Sequence, residues 1–256
     1  MPDLRSTPPW LILVSAFFFA AAYFTSRFPD VPGASAGSYG ATFLIALPAF
    51  IAIFRFIGVQ RAILSLFAVS LFAFAIEATG VITGFPYGDF YYGDALGAKV
   101  FGLVPYLLPI SYVPLVIGAA AAAYRDGSSH PVAWALRSAV LLVLIDGVLD
   151  PGAAALGFWV WPDGGAYYGV PASNYLGWLL SGALASALLV VLGRWKGKPP
   201  PGMLDSAVIS VSFWTGVAVF EGIPFPAMLG AALYVFLLLR RTRLGVGKTA
   251  LRAGRV

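Results

Sequence analysis

Long apolar runs alternate with short polar segments along the whole chain. Eight of these runs approach the length of a membrane-spanning helix, which needs roughly 20 apolar residues. They lie at about 10–26, 39–57, 62–82, 103–124, 132–150, 174–193, 206–221 and 224–239. We therefore predict an all-α, polytopic membrane protein with about eight transmembrane helices, folded as a single integral membrane domain over residues 1–256.

The basic residues indicate an orientation for these spans. With a cytoplasmic N-terminus, fourteen Lys and Arg residues fall on the cytoplasmic side, and only Arg27 and Lys99 fall on the other. Such an excess on the inner side is typical of membrane proteins. We predict a multi-pass protein of the cell membrane with both termini in the cytoplasm, and a basic tail from about 240 to 256 that lies beside anionic lipid rather than nucleic acid. Arg5 and the apolar stretch after it resemble a signal peptide, but the stretch continues through Phe24, which favours an uncleaved first span.

The acidic residues collect at the opposite, outer side of the predicted membrane. Eight of the eleven fall at or near that side: Asp30, Glu77, Asp89, Asp94, Asp146, Asp150, Asp163 and Glu221. Acidic residues carry little topological information, so their clustering suggests a site that opens near the outer leaflet. Four of them lie within spans or at their ends, where charge is costly and usually functional or paired: Glu77, Asp146, Asp150 and Glu221. If these four carboxylates are structural, they accept hydrogen bonds between helices or pair with Lys99. If they are catalytic, they act as proton donors, because apolar surroundings favour the protonated carboxyl group.

Composition excludes several classes of site. The chain is 60% hydrophobic and 11% charged, which leaves no polar segment long enough for a soluble module. Without cysteine there are no disulfides, thiolate nucleophiles or sulfur-ligated metals, and the single histidine leaves no cluster for haem or zinc. Asp146 and Asp150 share one helix face and raise the alternative of magnesium with a prenyl diphosphate. That site usually needs a second acidic cluster and basic residues for the phosphates, and the outer side offers only Arg27 and Lys99. We expect no metal and no cofactor.

Two loops, 83–93 and 157–169, resemble each other because each ends in Tyr-Tyr-Gly and combines aromatic residues with glycine, proline and a carboxylate. An interfacial aromatic belt accounts for some of these residues. The glycine and proline spacing suggests tightly turned or re-entrant loops over a cavity. Aromatic faces there can hold a polyene and stabilise a carbocation. The residues concerned are Phe85, Tyr87, Phe90, Tyr91, Tyr92, Trp159, Trp161, Tyr167 and Tyr168. Asn174 either caps the sixth span or points its amide into the site.

Five motifs between about residues 70 and 180 together resemble a known family. They are Glu77-x-x-Gly80, Thr83-Gly84-x-Pro86-Tyr87-Gly88-x-Phe90-x-Tyr92, Gly97-x-Lys99-x-x-Gly102-x-x-Pro105, Asp146-x-x-x-Asp150-Pro151 and Trp159-x-Trp161-x-x-Gly164-Gly165-x-Tyr167-Tyr168-Gly169-Val170-Pro171-x-x-Asn174-x-x-Gly177-Trp178. This pattern is similar to that of the CruF-type carotenoid hydratases, which include the bisanhydrobacterioruberin hydratases. The sequence departs from it at Ser111-Tyr112, where a small residue followed by tryptophan is expected.

The resemblance implies a cofactor-independent hydro-lyase. Such an enzyme adds water across the terminal double bond of an acyclic (ψ) carotenoid end and produces a tertiary alcohol. The implied partners are a lycopene-like C40 or bisanhydrobacterioruberin-like C50 carotenoid and membrane lipid, with other carotenoid-pathway membrane enzymes as candidates and no nucleic acid. The reaction needs a proton donor, a surface that tolerates a tertiary cation and one positioned water, which carboxylic acids and aromatic faces can supply.

The expected site follows from these roles. The candidate catalytic residues are Asp150, Asp146, Glu77, Glu221 and Asp89. The candidate substrate contacts are Phe85, Tyr87, Tyr91, Tyr92, Lys99, Trp159, Trp161, Tyr167, Tyr168, Asn174 and Trp178. Asp146 or Asp150 donates the proton, and Glu77 or Glu221 orients water or balances the cation. Tyr87, Tyr92, Trp159 and Tyr168 form the wall that faces the cation.

Two other classes remain open at this point. A carotenoid cyclase also protonates a polyene end but closes a ring and excludes water. A small-molecule transporter also uses carboxylates inside the membrane. A retinal-type receptor needs a lysine in mid-span, and every lysine here falls in a loop or the tail.

Overall fold

The computed structural model of the chain describes residues 7–29, 31, 33–125 and 130–253. Of the charged residues used to predict the orientation, Asp3, Arg5, Asp30, Asp126 and Arg255 lie outside the described residues, as do the last three residues of the predicted tail. The described residues form eight α-helices: α1 (Pro9–Arg27), α2 (Ala34–Ile57), α3 (Val59–Thr83), α4 (Leu108–Ala122), α5 (Pro131–Ala155), α6 (Ala172–Leu192), α7 (Asp205–Phe220) and α8 (Pro224–Ala253). Within the described residues, seven helices are long and apolar enough to cross a membrane, as a polytopic α-helical membrane protein requires.

The fourth helix, α4, is shorter than the predicted span 103–124. It has 15 residues and begins only at Leu108. The residues before it form a hairpin instead, in which strand β2 (Lys99–Val100) pairs with strand β3 (Val104–Pro105). Pro105 lies in β3, and Pro109 lies in the first turn of α4, where its missing N–H donor is tolerated best. Every residue of α4 from Tyr112 to Ala122 is buried, so this short helix lies inside the bundle.

Two predicted helix ends were wrong. Helix α8 was predicted to end near residue 239, but it continues through much of the basic tail to Ala253. Helix α5 was predicted to end at Asp150, but it continues through Pro151 to Ala155. Pro151 cannot donate to the carbonyl of Gly147 four residues earlier. The hydroxyl of Tyr167 donates to that carbonyl at 2.9 Å, so the missing backbone hydrogen bond is replaced and the helix continues.

The two Tyr-Tyr-Gly loops meet at one end of the bundle, which we call the loop end (residues 84–107 and 156–171). Strand β1 (Tyr91–Tyr92) pairs antiparallel with strand β4 (Trp159–Val160). The N–H of Gly93 also donates to the carbonyl of Phe158 at 2.8 Å. The pairing confirms that the two loops lie on the same side of the membrane domain and form one cover.

The opposite end of the bundle, which we call the far end, contains residues 193–204 and the C-terminus of α4. There Arg241 on α8 donates to Asp205 at the start of α7 at 2.6 Å, and both side chains are buried. Arg240 donates to the carbonyl of Ala122 at 2.9 Å and so satisfies a group that the end of α4 leaves without a helical donor. These contacts attach α8 to the far end.

Small residues allow the helices to approach closely. A Cβ atom on Gly216 of α7 would lie 2.5 Å from the carbonyl oxygen of Phe19 on α1. A Cβ atom on Gly118 of α4 would lie 2.6 Å from the Cβ of Ala207 on α7. Small residues are common where membrane helices pack, because they bring the backbones together. Helices α4, α5 and α7 therefore form the centre, and α1, α2, α3, α6 and α8 pack around them.

Candidate functional site

Two buried aspartates lie one turn apart on α5 and share one amide donor. The Nδ2 atom of Asn174 on α6 donates to Oδ2 of Asp146 at 3.1 Å and also to Oδ2 of Asp150. The exposed fraction is 1% for Asp146 and 2% for both Asp150 and Asn174. Of the two alternatives for Asn174, capping of the sixth helix is wrong. The helix begins at Ala172 after Pro171, and the amide points inward to the aspartates.

The two aspartates have no cationic partner among the described residues. The ion pairs found there are Lys99 with Asp94 and Arg241 with Asp205. Pairing of these acids with Lys99, one of the two structural alternatives, does not occur, since its Nζ donates to Asp94 and to the carbonyl of Tyr92. Two carboxyl groups that contact one nitrogen atom repel each other strongly if both are ionised. Asp146 and Asp150 are therefore suited to share one proton.

A third carboxyl group, Glu77 on α3, is buried near this pair. The hydroxyl of Tyr92 donates to Oε2 of Glu77 at 2.8 Å, and Tyr87 lines the same cavity as Glu77. Burial, together with the nearby Glu77 carboxyl group, raises the pKa of Tyr92 well above its usual value. Burial and Glu77 likewise raise the pKa of Tyr87. Both phenols therefore keep their protons and act only as neutral hydrogen-bonding groups.

An aromatic wall surrounds these acids on the loop side. The ring centroids of Tyr92 and Phe90 are 5.4 Å apart, and those of Tyr92 and Trp159 are 6.1 Å apart. The indole N–H of Trp159 donates to Oδ1 of Asp150 at 3.1 Å. Trp161 packs against Phe90 with centroids 6.1 Å apart. The wall thus carries hydrogen-bond donors for both Glu77 and Asp150 within an otherwise apolar surface.

Two glycines fix the position of Tyr87 in this wall. A Cβ atom on Gly80 of α3 would lie 2.8 Å from Cδ2 of the Tyr87 ring. A Cβ atom on Gly177 of α6 would lie 2.5 Å from Cδ1 on the other edge of that ring. Tyr87 therefore fits between α3 and α6 only because neither helix has a side chain there. This packing accounts for the glycines of the Glu77-x-x-Gly80 and Asn174-x-x-Gly177 motifs.

The acids and the aromatic wall line a cavity of about 930 Å³. Its polar part is formed by Glu77, Asp150 and Asn174, whereas Asp146 lies behind Asp150 and does not line it. Tyr87, Tyr92, Trp159, Trp161 and Trp178 also line it, as the sequence predicted for substrate contacts. The volume is near the upper end of small-molecule pockets, about 300–1,000 Å³. The cavity continues between α1 and α2, where most of its lining is apolar.

In addition to Asp146, seven predicted site residues do not line this cavity. They are Glu221, Asp89, Phe85, Tyr91, Lys99, Tyr167 and Tyr168. Asp89, Phe85, Tyr91 and Tyr168 are exposed, and Glu221 lies at the C-terminal end of α7. Tyr167 is committed to the carbonyl of Gly147. The structure therefore does not bring these residues together with Glu77 and Asp150.

Several cavity residues escaped the sequence reasoning. Phe213 and Trp214 on α7 line the cavity beside Trp159, and Phe17 and Phe18 line it from α1. An apolar residue in an apolar span carries no sign of whether it faces lipid or a cavity. Tyr112 on α4 also lines the cavity, and its buried hydroxyl has no hydrogen-bond partner among the described residues. The departure from the family pattern at Ser111-Tyr112 was a signal for this group, although Tyr112 was not named as a site residue.

Comparisons with known proteins identify the family of this chain. The model of a family described as "Carotenoid biosynthesis protein" matches residues 38–237. The chain is 40% identical over 205 residues to a bisanhydrobacterioruberin hydratase of Haloarcula japonica, covering 75% of this chain and 69% of that protein. No solved structure matches the chain. The family match includes both Tyr-Tyr-Gly loops and all the acids that line the cavity. This chain therefore belongs to the carotenoid biosynthesis protein family.

Proposed function

We propose that this protein adds water across the terminal carbon–carbon double bond of an acyclic carotenoid. The observation that carries the proposal is the placement of three buried carboxyl groups at the aromatic end of a long apolar cavity. The apolar cavity suits a polyene, and the acids suit proton transfer to its end. The similarity to a bisanhydrobacterioruberin hydratase supports the same substrate class.

Asp150 is the proposed proton donor. It lines the cavity, whereas Asp146 lies behind it and can resupply the proton. The Asp150 carboxyl group gives its proton to the CH carbon of the terminal isopropylidene double bond. The positive charge then develops on the tertiary carbon, where the faces of Tyr92 and Trp159 stabilise it.

Glu77 is the proposed base for the attacking water. The oxygen of water bonds to the tertiary carbon and releases one proton to the Glu77 carboxylate. Proton exchange between Glu77 and Asp150 then restores both groups, so that the net change is addition of one water to the double bond. The hydroxyl of Tyr112 and the indole N–H of Trp161 have no hydrogen-bond partner in the described part of the chain. They are suited to hold that water, since buried polar groups without protein partners usually bind one.

The test is coexpression in a lycopene-producing bacterium, followed by chromatography and mass spectrometry of the pigments. We expect the wild-type protein to produce a pigment heavier by one water, and Asp150→Asn or Glu77→Gln to abolish it. Asp163→Asn is the matched control, because Asp163 is exposed on the same loop as Trp159 and does not line the cavity. If Asp150→Asn and Glu77→Gln both form the adduct at the wild-type level, the acid–base scheme fails. A new pigment of unchanged mass indicates a cyclase instead, and unchanged pigments with solute flux in vesicles indicate a transporter.

A further inference from the structure

A second cavity, of about 570 Å³, lies beside the first between α1, α2 and α7. Phe17, Phe18 and Leu44 line both cavities, so these side chains lie where the two adjoin. The second cavity runs toward the far end, where its lining includes Arg55 and Asp205. The two cavities thus follow each other along the length of the bundle, away from Asp150 and Glu77.

A break in the α2 hydrogen-bond ladder lies at the junction of the cavities. Pro48 cannot donate to the carbonyl of Leu44. Next to it, the N–H of Ala49 donates to Oγ of Ser206 on α7 at 3.0 Å, and Ser206 donates in turn to the carbonyl of Ala46 at 3.2 Å. Ser206 therefore fastens α2 to α7 at this level and fixes the wall that both cavities share.

Small residues line the far part of the second cavity. A Cβ atom on Gly202 would lie 3.7 Å from the Cβ of Ala52 and 3.7 Å from Oδ2 of Asp205. Both Ala52 and Gly202 line the cavity, so larger side chains at these positions would occupy its volume. Gly202 has no positive φ, so its backbone does not itself require glycine.

The combined length matches a long polyene. Residues of α2 that line the two cavities run from Gly37 to Arg55. At about 1.5 Å per residue, this part of the helix is about 27 Å long. That is close to the thickness of the hydrocarbon core, about 30 Å. A straight conjugated chain whose end reacts at Asp150 must continue away from the loop cover, and the second cavity continues in that direction.

We propose that the second cavity binds the remote part of the carotenoid, and that Ala52 and Gly202 determine the polyene length the enzyme accepts. This inference rests on the proposed hydratase function. The occupant is the unreacted half of the substrate itself, because the second cavity shares Phe17, Phe18 and Leu44 with the cavity that receives the other end. A lipid acyl chain is the competing occupant.

The experiment compares two substrates in purified protein reconstituted in vesicles. One is lycopene, and the other is a truncated polyene half as long with the same isopropylidene terminus. We expect Ala52→Phe to lower hydration of lycopene by roughly tenfold or more, within the range for steric discrimination in apolar pockets, and to leave hydration of the truncated polyene unchanged. Gly202→Val should act in the same way. Ala75→Phe is the matched control, because Ala75 is exposed on α3 and lines neither cavity.

The outcomes separate the two proposals. If the wild-type protein hydrates neither substrate, the hydratase function fails. If Ala52→Phe lowers hydration of both substrates equally, or of neither, the length inference fails while the function stands. If Ala52→Phe affects hydration of both substrates equally, and lipid acyl chains are crosslinked to residues of the second cavity, the cavity binds lipid instead of the carotenoid. Hydration of the truncated polyene also reports that each variant is folded.

Discussion

The hydroxyl of Tyr92 lies 2.8 Å from the carboxyl group of Glu77, and both residues are buried. Tyr91, the preceding residue in the same strand, is 51% exposed. Alternation along the strand accounts for the difference, since successive side chains point to opposite faces. One Tyr-Tyr pair therefore contains a site residue and a surface residue of the same chemistry.

Tyr92→Phe should lower both hydration and stability. The substitution removes the donor to Glu77 and leaves a buried carboxyl group with one fewer partner, which typically costs about 1–3 kcal/mol. Tyr91→Phe is the control with the same chemical change on the exposed face. Pigment analysis per mole of protein and thermal unfolding in detergent measure the two effects. Equal behaviour of the two variants would show that the hydrogen bond to Glu77 contributes nothing.

Asn174→Leu should reduce hydration more than it reduces protein yield. Leucine has a similar size but gives no donor to Asp146 and Asp150, so the pair loses the group that holds both carboxyl oxygens. The pH dependence of hydration should change as well, because the shared donor stabilises the ionised form of the pair. The measurement is the rate of water addition against pH in reconstituted vesicles. An unchanged pH profile would contradict a role for Asn174 in proton transfer.

Tyr167→Phe should lower stability while substrate binding persists. The Tyr167 hydroxyl satisfies the carbonyl of Gly147 that Pro151 leaves without a donor, and loss of that bond should cost about 1–3 kcal/mol. Tyr168→Phe is the control, since Tyr168 is 40% exposed. Unfolding temperature measures the effect. If Tyr168→Phe destabilises as much as Tyr167→Phe, the hydrogen bond to α5 is not the cause.

Gly177→Ala should abolish most of the activity. Its Cβ atom would lie 2.5 Å from the Tyr87 ring and 2.8 Å from the carbonyl oxygen of Pro86, so the first loop must move. Gly245→Ala is the matched helical control, because a Cβ atom there meets nothing within 4 Å, and alanine favours a helix over glycine by about 1 kcal/mol. Pigment analysis compares the two variants. Full hydration by Gly177→Ala would show that the position of Tyr87 is not critical.

Hydropathy predicted the helices well, because their apolar runs report directly on burial in lipid. It failed where proline was involved. The fifth span was predicted to end at Asp150, directly before Pro151, but α5 continues to Ala155, and the Tyr167 hydroxyl replaces the donor that Pro151 lacks. Pro105 and Pro109 lay in an apolar run that hydropathy extended to residue 103, although the backbone there forms a hairpin.

The repeated Tyr-Tyr-Gly sequence predicted the meeting of the two loops but not the part each tyrosine plays. Tyr92 bonds a carboxyl group, whereas Tyr167 bonds a backbone carbonyl. The strand that pairs with Tyr91–Tyr92 contains Trp159, not the second tyrosine pair. A local pattern does not encode which distant atom a hydroxyl reaches, so these assignments required the folded chain. Glu77 and Asp150, the two acids that line the cavity, were identifiable from the sequence alone, because a carboxylate is rare within an apolar span.

Tyr92 and Trp159 are opposite each other in the β1–β4 pair, and each donates to a different acid, Glu77 for Tyr92 and Asp150 for Trp159. A slip of this pair by one residue would turn the side chains to the other face. Both acids would then lose their donors in the same event, although they belong to different helices. The register of this short strand pair thus couples the hydrogen bond to Glu77 with the hydrogen bond to Asp150, so that the two form together or are lost together.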